Sequence, residues 1–264
     1  MLALKLGEHL IMPTMSDMKG KVALVTGAAG GVGRATALKL ARAGANLCVV
    51  DVKAADLEET ASQLRQIGVK ARVCATDLSI QENCGTVVAA AVETFARLDA
   101  LCNVAGIFVP SHTTEMSTVD FEKTLAINLS APFYLIQAAI PHLLKTGGAV
   151  VNVTSCAAFV GQAYCAAYCA TKAGLNHMTR ALAMEYMHKP IRFNAVAPGG
   201  MDTPLTANLK LPKDIDGSLM KRFSPLRGMV EVGDVADLVA FLASDAAHSY
   251  HGACISVDRG ITAG

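Results

Sequence analysis

The sequence predicts an α/β fold, with one doubly wound parallel sheet of about seven strands and helices on both faces. Short β-branched apolar runs alternate with longer helical patterns, and a glycine-rich turn follows the first of these runs. No internal repeat or linker divides the 264 residues. Strands covered on both faces are rich in apolar residues, which suits a chain that is 52% hydrophobic and only 17% charged.

Seven runs have the length and composition of strands. They lie at 22–25, 46–50, 69–74, 100–103, 149–153, 191–197 and 253–257. Helical patterns occur at 32–43, 56–67, 81–96, 118–144 and 164–187. The fourth helical pattern contains Pro132 and Pro141, so we expect it to be irregular or to end early, because proline lacks the amide hydrogen that a helix interior needs.

Two segments do not join the alternation. Segment 199–228 contains three prolines together with apolar and basic residues, and we predict that it forms a substrate lid. The alternative is a plain surface insertion. Residues 1–18 are predicted to form a flexible N-terminal extension, which leaves 19–264 as a single domain.

The composition argues against several classes of function. The net charge is +1, and no basic run with interleaved aromatic residues occurs, so nucleic acid is not an expected partner. The N-terminal twenty residues lack an apolar core for a signal peptide or a membrane span, so we expect a cytoplasmic protein without membrane association. The eight cysteines form no Cys-x-x-Cys pair and are interpreted as small buried side chains in a reducing compartment.

The glycine-rich turn, Thr26 to Gly33, is interpreted as a dinucleotide site. Glycines let the backbone turn sharply, approach a pyrophosphate and direct the amides of the next helix at its negative charge. The second strand ends at Asp51, whose carboxylate can bind both ribose hydroxyls of an adenosine and repel a 2′-phosphate. Neither Arg34 nor Lys53 is well placed to neutralise that phosphate, so the sequence predicts NAD and not NADP. The alternative for Asp51 is a cap of the next helix.

Tyr168 and Lys172 are one helical turn apart, and Ser155 precedes them in the loop after the fifth strand. Residues at this spacing share a helix face, and the lysine charge is expected to lower the tyrosine pKa from about 10 towards neutral pH. Such a tyrosine can exchange a proton with a carbonyl or alcohol oxygen, and a serine hydroxyl can hold that oxygen. The alternative for an isolated pair is a solvated helix face. The glycine turn and Asp51 favour the catalytic interpretation.

In order and separation, the motifs of this chain resemble those of the short-chain dehydrogenase/reductases, from Lys19 to Gly260. The motifs are Thr26-Gly27-x-x-x-Gly31-x-Gly33, Asp77-Leu78, Asn103-x-Ala105-Gly106, Asn128, Ser155, Tyr168-x-x-x-Lys172 and Pro198-Gly199-x-x-x-Thr203. The resemblance implies a Rossmann-type fold in which 19–264 both binds the dinucleotide and carries the catalytic residues. It also implies direct hydride transfer between a nicotinamide and a substrate carbon, without a metal.

The resemblance assigns roles to individual residues. The residues expected to be catalytic are Ser155, Tyr168, Lys172 and Asn128. Asn128 would bind a water that relays protons from Lys172 to solvent. The residues expected at the cofactor are Gly27, Gly31, Val32, Gly33, Asp51, Val52, Asp77, Leu78, Asn103, Ala105, Gly106, Tyr168, Lys172, Pro198, Gly199, Met201 and Thr203.

The chain departs from the family pattern at two positions. Val104 replaces the second of two asparagines that usually precede Ala-Gly, which puts one hydrogen bond that braces this loop in doubt. Arg259 stands in the C-terminal Val257-Asp258-Arg259-Gly260, where the family usually has glycine, and bears on a subunit contact. The resemblance implies a homotetramer or a homodimer.

The residues expected to border the substrate are mainly apolar. They are Phe108, Cys156, Phe159, Gln162, Tyr164 and Gly200. Such a pocket suits an apolar small molecule, for example an alicyclic, aromatic, steroid-like or acyl compound. We therefore predict an NAD(H)-dependent oxidoreductase that interconverts a secondary alcohol and a ketone. The alternatives are a 3-oxoacyl thioester reductase that uses NADPH and a non-catalytic NAD-sensing protein; Asp51 argues against the first and the intact catalytic set against the second.

Overall fold

The predicted parallel sheet is present in the computed structural model, which describes residues 17–207, 209–221 and 227–263. The strands in this part of the chain are β1 (Val22–Thr26), β2 (Asn46–Asp51), β3 (Ala71–Ala75), β4 (Ala100–Asn103), β5 (Ala149–Val153), β6 (Arg192–Pro198) and β7 (Cys254–Val257). Their order across the sheet is β3-β2-β1-β4-β5-β6-β7, and every neighbouring pair is parallel. The predicted fold class is confirmed.

Helices cover both faces of the sheet. They are α1 (Gly31–Arg42), α2 (Ala54–Ile67), α3 (Gln81–Phe95), α4 (Thr118–Leu125), α5 (Ala131–Thr146), α6 (Ala166–Glu185), α7 (Pro204–Ala207), α8 (Gly217–Lys221) and α9 (Val232–Ala243). One hydrophobic core lies between the sheet and α1, α2 and α9, and a second lies between the sheet and α3, α5 and α6. The strands are buried from both sides, which accounts for their apolar composition.

The order of strands reverses between β1 and β4. From β1 the chain winds outwards to β3, then crosses back to β4 and winds outwards to β7. The loops that leave the carboxyl ends of β1 and β4 therefore diverge and open a crevice, the usual ligand position in a doubly wound sheet. The topology thus places the glycine-rich turn after β1 beside the loop after β4.

The long helical pattern is irregular, as expected, and the irregularity lies just before Pro132. A π-helical turn, Ala126–Ser130, separates α4 from α5. Pro132 is the second residue of α5, which follows this turn directly. Helix α5 continues through Pro141 to Thr146, so of the two expected outcomes the irregularity is the one observed. By length and composition, Thr118–Thr146 could span a membrane; here it packs against α3 and α6.

Helix α9 was not predicted. Its apolar side faces the core with Val235, Ala236, Val239 and Ala240, at the spacing of a buried helix face. Asp237, on the other side, forms an ion pair with Lys39 of α1. The helical periodicity was therefore present in the sequence, in a stretch whose high apolar content hides it.

The N-terminal boundary needs a correction. Met18, assigned above to a flexible extension, is fully buried in the core beside α1. Its amide donates to the Ala43 carbonyl at 2.9 Å, which ties it to the end of α1. Residues 1–16 lie outside the described part of the chain. The predicted lid, 199–228, is described except for 208 and 222–226, and contains the short helices α7 and α8.

Candidate active site

A cavity of about 520 Å³ lies at the carboxyl ends of the central strands. Every residue predicted at the cofactor lines it, except Asn103. Three of the four residues predicted to be catalytic also line it, Ser155, Tyr168 and Lys172. Segments far apart in the chain therefore meet around one space.

The glycine turn fits a pyrophosphate. A β-carbon on Gly33 would lie 2.1 Å from the Gly27 carbonyl oxygen, and one on Gly27 would lie 2.9 Å from Ala105 Cα. Gly27 also has a φ of +69°, which disfavours other residues. The absence of side chains leaves the first amides of α1 open towards the cavity, as phosphate binding at a helix N-terminus requires.

The loop after β4 is braced by Thr26 at the end of β1. The Thr26 hydroxyl accepts hydrogen bonds from the amides of Val104 and Ala105, both at 3.0 Å. These bonds involve the backbone of Val104, so they do not depend on its side chain. Asn103 lies beneath the loop and donates to Asn152 Oδ1 at 2.8 Å. This buried contact between β4 and β5 explains why Asn103 does not line the cavity.

Asp51 joins the end of β2 to the glycine turn. Its Oδ2 accepts the Ala29 amide at 3.1 Å, and its Oδ1 accepts the Lys53 amide at 3.0 Å. Helix α2 begins at Ala54, after Lys53, and has no side-chain cap. The geometry therefore does not support the capping alternative, and the carboxylate lines the cavity.

The Arg34 guanidinium is engaged away from the cavity. Its Nη2 donates to the Ala29 carbonyl at 2.6 Å, and its Nε donates to the Thr60 hydroxyl at 2.9 Å. Its Nη1 also forms an ion pair with Glu59 at 3.1 Å. These contacts hold α1 against α2. They also engage the Arg34 guanidinium, the positive charge nearest to the glycine turn.

The side chains of Ser155, Tyr168 and Lys172 converge between β5 and α6. The Tyr168 ring packs edge-on against Phe108, with centroids 4.7 Å apart. Lys172 Nζ lies 5.8 Å from the centre of the Tyr168 ring and donates to the Val153 carbonyl at 2.9 Å. Ser155 Oγ accepts the Ala157 amide at 3.1 Å, which fixes the serine at the start of a short helical turn.

Burial controls the protonation of this group. It raises the pKa of Tyr168 to about 12, while the neighbouring Ser155 hydroxyl acts in the opposite direction. Burial also lowers the pKa of Lys172 to about 8. The expectation that Lys172 lowers the Tyr168 pKa is wrong here, because desolvation by burial dominates the shift. The raised pKa keeps the Tyr168 hydroxyl protonated at neutral pH.

Replacing Lys172 with methionine should change the pH dependence of stability. The folded pKa of about 8 is below the ordinary 10.5, so the unfolded chain binds more protons between these values. The contribution of Lys172 to the free energy of unfolding therefore rises with pH between these two pKa values. Between pH 7 and pH 9.5, wild type should gain roughly 2 kcal/mol in free energy of unfolding relative to Lys172→Met. Urea denaturation measures this difference, and a pH-independent difference would contradict the lowered pKa.

Asn128 lies behind the cavity, in the π-helical turn. Its Oδ1 accepts the Ile107 amide at 2.8 Å, and its Nδ2 donates to the Ile107 carbonyl at 2.9 Å. A β-carbon on Gly106 would lie 3.3 Å from Asn128 Oδ1 and 3.4 Å from Lys172 Nζ, so both groups flank this glycine. Asn128 therefore shapes the loop after β4. Its expected role in a proton relay remains a prediction.

Two of the six residues predicted at the substrate, Phe159 and Tyr164, do not line this cavity, and their contact with a substrate stays a prediction. Phe159 is directed outwards and is 43% exposed. The Tyr164 hydroxyl accepts the Asp216 amide at 2.7 Å, and its ring contacts His112, whose Nε2 donates to the Lys213 carbonyl at 2.8 Å. We call Tyr164, His112, Lys213 and Asp216 the lid clasp, because they join the predicted lid to the rest of the site.

Several residues of the cavity wall were not predicted. They are Ala29, Gly30, Lys53, Asp56, Thr76, Val104, Ile107, Ile127, Val153, Thr154, Pro204, Leu205 and Thr206. Most are neighbours in the chain of a predicted residue, so the motifs already pointed to their segments. Helix α7, which contributes the last three, follows directly from Thr203.

A buried tyrosine and lysine that face a glycine-rich turn, at the point where a parallel sheet reverses, are the features expected of a nicotinamide-dependent oxidoreductase site. The family model described as "Enoyl-(Acyl carrier protein) reductase" matches residues 27–262. The chain belongs to the short-chain dehydrogenase/reductase family, and the resemblance noted from the motifs is confirmed.

Two relatives illustrate the similarity. The 2,5-dichloro-2,5-cyclohexadiene-1,4-diol dehydrogenase of Sphingobium indicum is 36% identical over 251 residues, covering 94% of this chain and 98% of that protein. The cis-4-hydroxycyclohexanecarboxylate dehydrogenase of Sinomonas cyclohexanicum is 39% identical over 245 residues, covering 92% and 97%.

Solved structures agree with the fold. A short-chain dehydrogenase from Mycobacterium paratuberculosis bound to NAD has a TM-score of 0.86 and 27% identity, with 94% of this chain and 100% of that chain covered. One from Burkholderia cenocepacia in complex with NADP has a TM-score of 0.84 and 31% identity, with 93% and 99% covered. This protein is therefore an oxidoreductase that acts on CH–OH groups with a nicotinamide cofactor and interconverts secondary alcohols and ketones.

Proposed function

We propose that the protein is an NAD-dependent dehydrogenase of small alicyclic secondary alcohols, with Tyr168 as the general acid/base. The observation that carries this proposal is the position of Ser155 and Tyr168 at one wall of a cavity that also receives Phe108, Met201 and Leu205. Two hydroxyl groups beside apolar walls suit a ring compound with a reacting oxygen. The substrates named for the two relatives are also six-membered ring alcohols.

The residues divide the chemistry among them. The glycine turn, Asp51 and Lys172 would hold the dinucleotide, which when bound supplies the hydride acceptor. Ser155 would hold the substrate oxygen, and Tyr168 would exchange the proton with it. Lys172, desolvated and fixed to the Val153 carbonyl, would hold nicotinamide ribose hydroxyls next to the tyrosine. Asn128 would keep the loop after β4 in place through Ile107 and bind the water of the proton relay.

The preference for NAD rests on the surroundings of Asp51. The carboxylate lines the cavity at the end of β2, and the Arg34 guanidinium is held by Ala29, Thr60 and Glu59. A 2′-phosphate at this point would meet a negative charge, with Lys53 as the remaining nearby cation.

The experiment that tests the function is a screen of secondary alcohols with NAD and of ketones with NADH, followed by nicotinamide absorbance. Cyclohexanol and substituted cyclohexanols should be oxidised faster at alkaline pH than at neutral pH, because the Tyr168 pKa of about 12 keeps the phenolate fraction small. A protein that reduces 3-oxoacyl thioesters with NADPH and leaves ring alcohols untouched would support the alternative reductase function.

We also propose that the protein is a cytoplasmic homotetramer. Val119 and Phe121 of α4 and Phe133 of α5 are exposed apolar side chains on neighbouring helices, and Met184 of α6 is exposed as well. Burying such a surface between copies would remove it from water. Sedimentation velocity should give the mass of four chains, and a monomer at micromolar concentration would contradict this prediction.

A further inference from the structure

Gln162 is a polar side chain of the cavity, near Ser155 and Tyr168, to which the mechanism above gives no role. It lies in the loop before α6, six residues before Tyr168, and lines the cavity. Among the described residues, its side chain makes one hydrogen bond, in which Nε2 donates to Cys156 Sγ at 3.6 Å. A thiol sulfur is a weak acceptor, so the amide keeps hydrogen-bonding capacity for a ligand in the cavity.

The Cys156 thiol, which accepts this hydrogen bond, is an uncharged part of the cavity wall. Burial raises its pKa, so it stays protonated and is a poor nucleophile. It touches the catalytic serine as well, since Ser155 Oγ donates to Cys156 Sγ at 3.9 Å. Ser155 and Gln162 therefore both contact the same sulfur atom.

The shared contact with Cys156 limits the distance between Ser155 and Gln162. Ser155 Oγ and Gln162 Nε2 can be no farther apart than the sum of their two distances to Cys156 Sγ. One ring-sized molecule can therefore place its reacting oxygen at Ser155 and a second polar atom at Gln162. An amide that faces a cavity without a strong partner favours a ligand that supplies one, because an unmet polar group is costly once water is excluded.

The second group should be uncharged. Among the described residues, the cations that line the cavity are Lys53 and Lys172. Lys53 follows Asp51 at the dinucleotide end of the cavity, and Lys172 is fixed to the Val153 carbonyl. A carboxamide can both donate to and accept from a hydroxyl, which suits a neutral alcohol group.

We propose that Gln162 is a specificity-determining residue, which binds a second hydroxyl group on an uncharged ring substrate while Ser155 and Tyr168 hold the hydroxyl that reacts. The proposal rests on the function proposed above and narrows its substrates from ring alcohols to ring diols. It gives the Cys156 thiol a role in positioning the Gln162 amide.

The test compares cyclohexanol with the 1,2-, 1,3- and 1,4-cyclohexanediols as substrates, with NAD. In wild type, kcat/KM for at least one diol should exceed that for cyclohexanol about fivefold, as one neutral hydrogen bond allows. Gln162→Met should lower this diol-to-cyclohexanol ratio of kcat/KM about fivefold. The matched control is Gln63→Met, since the Gln63 amide bonds to Glu59 on the surface of α2. It should leave the ratio unchanged.

An equal ratio in wild type and Gln162→Met would overturn the proposal. So would a wild-type protein that prefers none of the diols, and this comparison decides the question even if Gln162→Met does not fold. Turnover of cyclohexanol without a diol preference contradicts this inference alone. Turnover of none of these alcohols contradicts the proposed function as well.

Discussion

Replacing Tyr168 with phenylalanine should reduce turnover about a thousandfold or more, while NADH still binds with nearly wild-type affinity. The hydroxyl is the proposed general acid/base at the cavity wall, and a positioned acid or base contributes roughly a hundredfold to ten-thousandfold to such a reaction. The ring that packs on Phe108 at 4.7 Å is retained, so the cavity should keep its shape. Steady-state kinetics and NADH fluorescence titration measure the two quantities separately.

Tyr164→Phe is the matched control for this experiment. It removes a hydroxyl from the residue four positions earlier in the chain, but that hydroxyl accepts the Asp216 amide in the lid clasp and lies outside the cavity. We expect Tyr164→Phe to retain most of the wild-type kcat. Substantial turnover by Tyr168→Phe, or equal losses in the two variants, would assign the proton transfer to another group.

The second large effect concerns the cofactor. Wild type should bind NADH about a hundredfold more tightly than NADPH, because Asp51 can accept two hydrogen bonds from ribose hydroxyls and repels a phosphate at the same place. Asp51→Asn should reduce this ratio about tenfold or more, since it removes the charge and keeps the shape. The amide can still accept the hydrogen bond from Ala29 that joins Asp51 to the glycine turn.

The control for the cofactor experiment is Asp56→Asn. Asp56 lines the same cavity from the first turn of α2, so the substitution removes an equal charge a short distance away. It should change the ratio of affinities much less than Asp51→Asn does. Tighter binding of NADPH than of NADH by wild type would contradict the role given to Asp51.

The sequence was most informative where one short segment determines the structure. The glycine turn is such a case, because a β-carbon on Gly33 would clash with a carbonyl only six residues earlier. The spacing of Tyr168 and Lys172 similarly places both on one face of α6 without reference to the rest of the fold. Alternation of apolar runs with helical patterns was sufficient to predict the parallel sheet, because each buried strand is recognisable by its apolar composition.

The sequence was least informative where a side chain meets a distant partner. The direction of the Tyr168 pKa shift is set by burial among residues from distant segments, and no local pattern shows that burial. Tyr164 was assigned to the substrate wall from its position in the chain. Its φ of +64° and its bond to Asp216 turn it towards the lid, and both depend on the folded loops.

The lid clasp affects which substitutions the predicted lid can accept during evolution. Tyr164 and His112 contact the lid through its backbone, at the Asp216 amide and the Lys213 carbonyl, and not through lid side chains. Substitutions in the lid that keep its backbone path therefore leave these two hydrogen bonds intact. Lid side chains that face the cavity, such as Leu205, are free to be exchanged during evolution while the fastening stays the same. New substrates can thus be accommodated without redesign of the attachment that holds the lid.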